Sequence, residues 1–129
     1  MTQQQPPSGG NKAKRRNTAN KPSFVAIPPM ALVEVGMAFA DGSRKYGGKY
    51  TWRDVNDPPD TDTYLDAALR HIFLYMDGSD ADADSGLHPL AHAVASLLII
   101  LDSYQKGILD DRRVPPPVIS PTQTETTNE

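Results

Sequence analysis

Apolar positions along this chain are gathered into three stretches, and the spacing within each predicts a helix. The first, Met30 to Ala40, reads MALVEVGMAFA and has Glu34 as its one polar side chain. A proline at position 28 or 29 suits a first helical turn, where its missing amide hydrogen would be unpaired in any case, and Asp41-Gly42 reads as the stop. The second stretch, capped by Thr61, Asp62 or Thr63, runs to Asp77-Gly78. The third opens at Asp84-Ser85, stays apolar to Leu101 and should end near Gly107. No run alternates with period two and no segment repeats. The prediction is an all-α bundle of three to four helices. So few helices enclose a core poorly alone, so completion by oligomerisation, as a dimer or tetramer, is expected.

The ends of the chain read differently. Residues 1–20 hold Gln, Pro, Gly, Asn and basic side chains with almost nothing apolar, and residues 114–129 are rich in Pro and Thr. Neither can offset the entropy of ordering. Both are expected to be disordered tails around a single domain at 21–113. Within it KPSFVAIPP, held extended by Pro22, Pro28 and Pro29, predicts an ordered arm packed on the core. The longest apolar run, Ala93 to Leu101, contains Ser96 and is far below a membrane span, and the N-terminus has no apolar leader. A soluble, cytoplasmic protein with no membrane partner is expected.

Composition and charge narrow the chemistry. With no cysteine, disulfides and thiolate metal sites are excluded. The net charge of −3 hides an asymmetry: Lys12, Lys14, Arg15, Arg16 and Lys21 stand in the first 21 residues without one acid, leaving an acidic remainder. Such a body repels a duplex, whereas a cation can bridge an acidic pocket to phosphates. Charge therefore favours a small phosphorylated ligand, and nucleic acid is the disfavoured partner.

Candidate chemistry sits where polar residues interrupt the helices. A buried Glu34 must be paired, metal-bound or protonated, and pairing with Arg70 or a lysine is the plain structural alternative to a functional role. The segment DGSRKYGGKYTWRDVNDPPD concentrates Arg44, Lys45, Tyr46 and Trp52, either as nucleotide contacts or as an exposed basic loop anchored by Trp52. It is not a phosphate-binding P-loop, because Gly48 stands where lysine is needed and a helix precedes it. Asp66 and Arg70 are spaced i, i+4, and His71 lies about 100° round the helix from Arg70. His88 and His92 share a helical face with Ala95, Ile99 and Asp102. Between them Asp80, Asp82 and Asp84 alternate, but Gly86 comes one place late for a calcium EF-hand and Ala91 stands where the bidentate Glu belongs. No His-Asp doublet occurs, and no serine has a nucleophile-elbow context. What remains favours Mg2+ or Mn2+ held by carboxylates and substrate phosphates, with arginine and lysine orienting the phosphates.

Taken in order, KPSFVAIPPMALVEVGMAFADGSRKYGGKYTW, DAALRH and GSDADADSGLHPLAHA resemble the phage-encoded MazG-like dATP/dGTP diphosphohydrolases, the MazZ type associated with 2-aminoadenine DNA. The likeness runs from about Lys21 to Lys106. It implies an all-α, oligomeric nucleoside triphosphate pyrophosphohydrolase working in a bacterial host cell. Its substrate would be a purine deoxynucleoside triphosphate, dGTP ahead of dATP, cut between the α and β phosphates to a monophosphate and pyrophosphate. The resemblance implies catalytic roles for Glu34, Asp66, Arg70 and His71, and metal ligation by Glu34, Asp66, Asp80, Asp82 and His92. Met30, Ser79 and Pro89 stand where the pattern often carries an acid, a Glu and a His, which shifts weight onto Glu34 and His92. Substrate contacts are expected from Arg44, Lys45, Tyr46, Trp52 and His88, with Ile27 and Pro28 offering backbone groups to the base edge. Two other classes are a nucleotide-sensing module without turnover, and a nucleic-acid-binding or assembly protein using the basic tail.

Overall fold

The structure, a computed structural model, describes residues 9–18 and 20–118. Four α-helices follow in order: α1 Gly10–Asn17, α2 Pro29–Tyr46, α3 Thr61–Met76 and α4 Pro89–Gln105, with one 3-10 turn at Phe24–Ala26. Among the described residues the only β pairing is an isolated bridge between Asp60 and Asp110. The fold is all-α, as the hydrophobic spacing predicts.

α4 is the central element. α2 and α3 each pack against it and not against one another. Small side chains make this close approach possible: Ala38 of α2 meets Ala91 and Ala95 of α4, flanked by Phe39 and Leu87, while Ala68 of α3 and Ala93 of α4 are also buried. No large apolar side chain is fully buried among the described residues. After α4 the chain turns at Gly107, in a left-handed conformation (φ 72°) that suits glycine, and returns to the start of α3. There the Thr61 amide donates to the Asp110 carbonyl at 3.1 Å, and the Arg112 amide donates to Thr61 Oγ1 at 2.8 Å. These bonds satisfy the otherwise orphaned start of α3 and explain why Thr61 is buried.

Several expectations need correction. The basic segment expected to be disordered is helical at Gly10–Asn17; residues 1–8 and 19 of it, and most of the C-terminal tail, lie outside the described residues. Lys12, Ala13, Lys14, Arg15 and Arg16 are good helix formers, and the basic last turn complements the helix dipole. The arm at 21–29 is exposed rather than packed on the core, Val25 wholly so, and it is not extended throughout: Phe24–Ala26 makes a 3-10 turn and Pro29 already belongs to α2. α2 passes Asp41-Gly42 and ends at Tyr46, since Asp41 pairs forward with Arg44 and Lys45 across the extra turn and Gly47 (φ 91°) supplies the stop. α3 is capped by Asp60, one residue before the expected caps, its Oδ1 accepting from the Thr63 amide at 2.7 Å. α4 begins at Pro89 rather than Asp84-Ser85, because Asp82 folds the intervening residues into a turn of their own.

Candidate functional site

Because α2 and α3 touch α4 but stand apart from each other, a cleft of 820 Å³ opens between them, floored by His92, Ala95, Ser96 and Ile99. The helical period sets this floor: three of these four were expected on one face of the third helix. The α2 wall carries Phe39, Asp41, Lys45 and Tyr46, and the α3 wall carries Thr63, Tyr64, Ala67, Arg70 and His71. Trp52 from the loop before α3, and Asp82 and Asp84 from the loop after it, complete the rim.

Electrostatics divides the lining into groups with distinct partners. Lys45 is held between Asp41 of its own helix (3.0 Å) and Asp84 of the α3–α4 loop, and hydrogen bonds to these two acids raise its pKa. It ties that loop to α2. Trp52 packs on Phe39, with centroids 5.8 Å apart, and its Nε1–H donates to Asp102 Oδ2 at 2.8 Å. Arg53 grips both oxygens of Asp102, at 2.8 and 2.7 Å, and lies 4.1 Å over the Tyr50 ring. Those bonds hold the Asp102 carboxyl down to about 2, the Arg53 hydrogen bonds being the largest cause. Trp52 thus anchors the basic loop to the core, as one of the two sequence readings has it, while also lining the cleft.

The histidines separate into two jobs. His88 caps α4: its Nδ1 accepts from the Leu90 amide at 3.1 Å, and its own amide donates to Glu34 Oε2 at 3.0 Å. Glu34 therefore meets neither Arg70 nor a lysine; its charge is placed on the positive end of α4. His71 and His92 stack face to face, with centroids 4.9 Å apart and planes 20° apart. Burial, reinforced by the neighbouring His92, lowers the His71 pKa, and its buried Nδ1 has no hydrogen-bond partner, Asp82 Oδ2 being 3.8 Å away. His92 Nε2 lies 2.6 Å from Ser85 Oγ. Asp82 Oδ1 accepts from the amides of Asp84 and Ser85, both at 2.9 Å, and the Ser85 amide is the largest cause of its lowered pKa.

Of the residues singled out from the sequence, the cleft brings together Lys45, Tyr46, Trp52, Arg70, His71, Asp82 and His92. It does not include Glu34, Asp66, Asp80, His88, Ile27, Pro28 or Arg44. Asp66 is exposed and makes no ion pair with Arg70, and Asp80 is 83% exposed with only His88 nearby, at 3.7 Å. Among the described residues no three His, Asp or Glu side chains are placed to hold one cation. The five-ligand set Glu34, Asp66, Asp80, Asp82 and His92 therefore does not fit a preformed metal site within one chain: Glu34 is occupied by His88, and Asp82 and His92 by Ser85. Sequence reading missed Asp41 and Ser85 as site neighbours. The i, i+4 spacing of Asp41 and Lys45 could have found the first; Ser85, seven residues before His92, had no such signal.

A family described as dATP/dGTP diphosphohydrolase, N-terminal, matches residues 11–113. The chain belongs to this family. It is also 34% identical over 88 residues to a dATP/dGTP diphosphohydrolase of Salmonella phage PMBT28, an alignment that covers 67% of this chain. The chain spans about three tenths of that relative's length, the aligned part being 29% of it. No solved structure matches the chain significantly. The family match takes in every part of the cleft, from Ala38 to Ile99. No helix among the described residues is long and apolar enough to cross a membrane.

Proposed function

We propose that the chain binds a purine deoxynucleoside triphosphate in the α2–α3–α4 cleft and hydrolyses it between the α and β phosphates, releasing a monophosphate and pyrophosphate. The observation that carries this reading is the cleft itself. Its volume is in the range of small-molecule sites, and aromatic faces (Phe39, Tyr46, Trp52, Tyr64) stand with two cations (Lys45, Arg70) and two imidazoles in one lining. A flat base stacks on aromatic rings, while lysine and arginine orient phosphates whose negative charge grows at the leaving group. The family match, and the name of the phage relative, supply the purine preference and the diphosphohydrolase chemistry. Ile27 and Pro28 do not line the cleft, so base reading falls to Trp52, Tyr64 and nearby backbone rather than to the arm. In a phage, the dGMP formed would feed synthesis of 2-aminoadenine nucleotides and loss of dATP would keep adenine out of DNA.

The Mg2+ or Mn2+ expected from the carboxylates in the sequence has no three-ligand cage among the described residues, so this reading has the ion arrive with the triphosphate. Magnesium is commonly held by one or two carboxylates plus substrate phosphates. Incubating the full chain with each of the four dNTPs, with Mg2+, Mn2+ or EDTA, and following products by phosphorus NMR tests the reading. Pyrophosphate and dGMP should form fastest with dGTP, then dATP, and EDTA should abolish turnover. Stepwise orthophosphate release would overturn it, and equal rates on dCTP and dTTP would remove the base preference. Titrating MnCl2 into nucleotide-free protein should show no tight binding.

A further inference from the structure

One set of hydrogen bonds at the edge of the cleft, behind its lining residues Asp82 and His92, is used neither for phosphates nor for the base. Ser85 Oγ stands 2.6 Å from His92 Nε2, 3.3 Å from Asp82 Oδ1 and 3.2 Å from the Leu87 amide nitrogen, which donates to it. A hydroxyl has one proton to give and two lone pairs to offer, and an ionised carboxylate can only accept. If Ser85 gave its proton to His92, its second lone pair would face the carboxylate oxygen at 3.3 Å, negative against negative. If it gives its proton to Asp82, it accepts from both Leu87 N–H and His92 Nε2–H, and every group is satisfied. Only the second arrangement has no repulsive contact.

We propose that Ser85 is a positioning residue that fixes His92 in the tautomer carrying hydrogen on Nε2, leaving Nδ1 as the acceptor with which His92 acts as general base toward water in the cleft. Among the described residues no hydrogen bond engages His92 Nδ1. The ring cannot turn freely, because His71 lies stacked on it at 4.9 Å and Ser85 holds its far nitrogen. Oδ1 of Asp82 reaches His92 through the serine hydroxyl, while Oδ2 stands 3.8 Å from His71 Nδ1, too far for a hydrogen bond. A base whose tautomer is set by a hydrogen bond to its other nitrogen is the arrangement proton abstraction needs. In the step, His92 Nδ1 takes a proton from water as the water oxygen bonds the α-phosphorus. The bond from that phosphorus to the α–β bridging oxygen breaks, and pyrophosphate leaves with the electron pair. The His92 proton then passes to solvent, so one water is consumed for each monophosphate and pyrophosphate formed.

This inference rests on the hydrolase reading for its catalytic half, and on hydrogen bonding alone for its tautomer half. The test uses the full chain and its Ser85→Ala and Ser85→Thr variants, with two readouts: kcat and KM on dGTP, and the histidine tautomers by long-range proton–nitrogen NMR without nucleotide. Wild type should show His92 protonated on Nε2. Ser85→Ala should give mixed tautomers and lower kcat by about tenfold or more with KM unchanged, and Ser85→Thr should restore both. Wild-type His92 protonated on Nδ1 would overturn the proposal whether or not Ser85→Ala folds. So would a Ser85→Ala variant with normal kcat, or one altered only in KM. Absence of wild-type turnover on any dNTP would instead sink the hydrolase reading, while the tautomer signal would still decide the positioning role.

Discussion

Asp102 shows how one side chain places another. It receives three hydrogen bonds from Trp52 and Arg53, so a residue near the end of α4 fixes the loop that rims the cleft. Asp102→Ala should leave Arg53 and the Trp52 indole without their acceptor. Trp52 is the only tryptophan, so its fluorescence should shift to the red, and the melting temperature should fall by several degrees if the lost bonds contribute about 1–2 kcal/mol in total. The pH dependence has a definite sign. The folded Asp102 carboxyl sits at about 2, below its ordinary 3.8, so its stabilising contribution is complete above about pH 4 and is lost as pH falls toward 2. Asp60 and Asp82 are shifted the same way, so the measurement is a difference: Asp102→Asn should lose stability less steeply than wild type between pH 4 and 2. Parallel curves would mean that the Arg53 pair is screened away in solution.

At the scale of elements, α1 and α4 are opposites. α4 is held at both ends, by Glu34 at its N-terminus and by the Ser103 carbonyl accepting from Ile108 and Leu109 after its last turn, and it floors the cleft. Among the described residues α1 buries none of its own and packs against no other element. Eight residues of helix are marginal in isolation, whatever their composition. Removing residues 1–20 should therefore leave the circular dichroism of the remaining helices and the rate on dGTP unchanged within about twofold. A lost rate would mean that Lys12, Lys14, Arg15 or Arg16 reaches substrate, and loss of a salt-sensitive DNA affinity on the same deletion would favour the nucleic-acid-binding class.

The whole molecule has an unbalanced surface. Met30, Val33 and Met37 on α2, Leu69, Phe73 and Met76 on α3, and Val94, Leu97, Leu98 and Leu101 on α4 are all exposed, each set at helical spacing. Of the six buried hydrophobic residues of the core, five are alanine. A chain that hides its small residues and shows its large ones is expected to associate, burying those stripes against further copies. Light scattering after size exclusion should give a dimer or tetramer, and Met37→Lys or Phe73→Lys should shift it to smaller species with lower stability. A wild-type monomer at micromolar concentration would contradict this.

The hydrophobic spacing by itself determined that the fold is helical, where three of its helices lie, and that His92, Ala95 and Ile99 share a face, because helix periodicity is a property of neighbours in sequence. Composition singled out Lys45 and Trp52 in one basic aromatic segment, and the resemblance added Arg70 and His71. Local pattern could not place Glu34 against the amide of His88, 54 residues away, nor part Asp66 and Asp80 from the cleft. The resemblance implied Asp82 and His92 as metal ligands; here their hydrogen-bond partners lie in a turn whose shape Asp82 itself sets. Those outcomes depend on how α2 and α3 lie across α4. Side chains that meet between elements are selected by packing distance and angle, which only the tertiary structure decides.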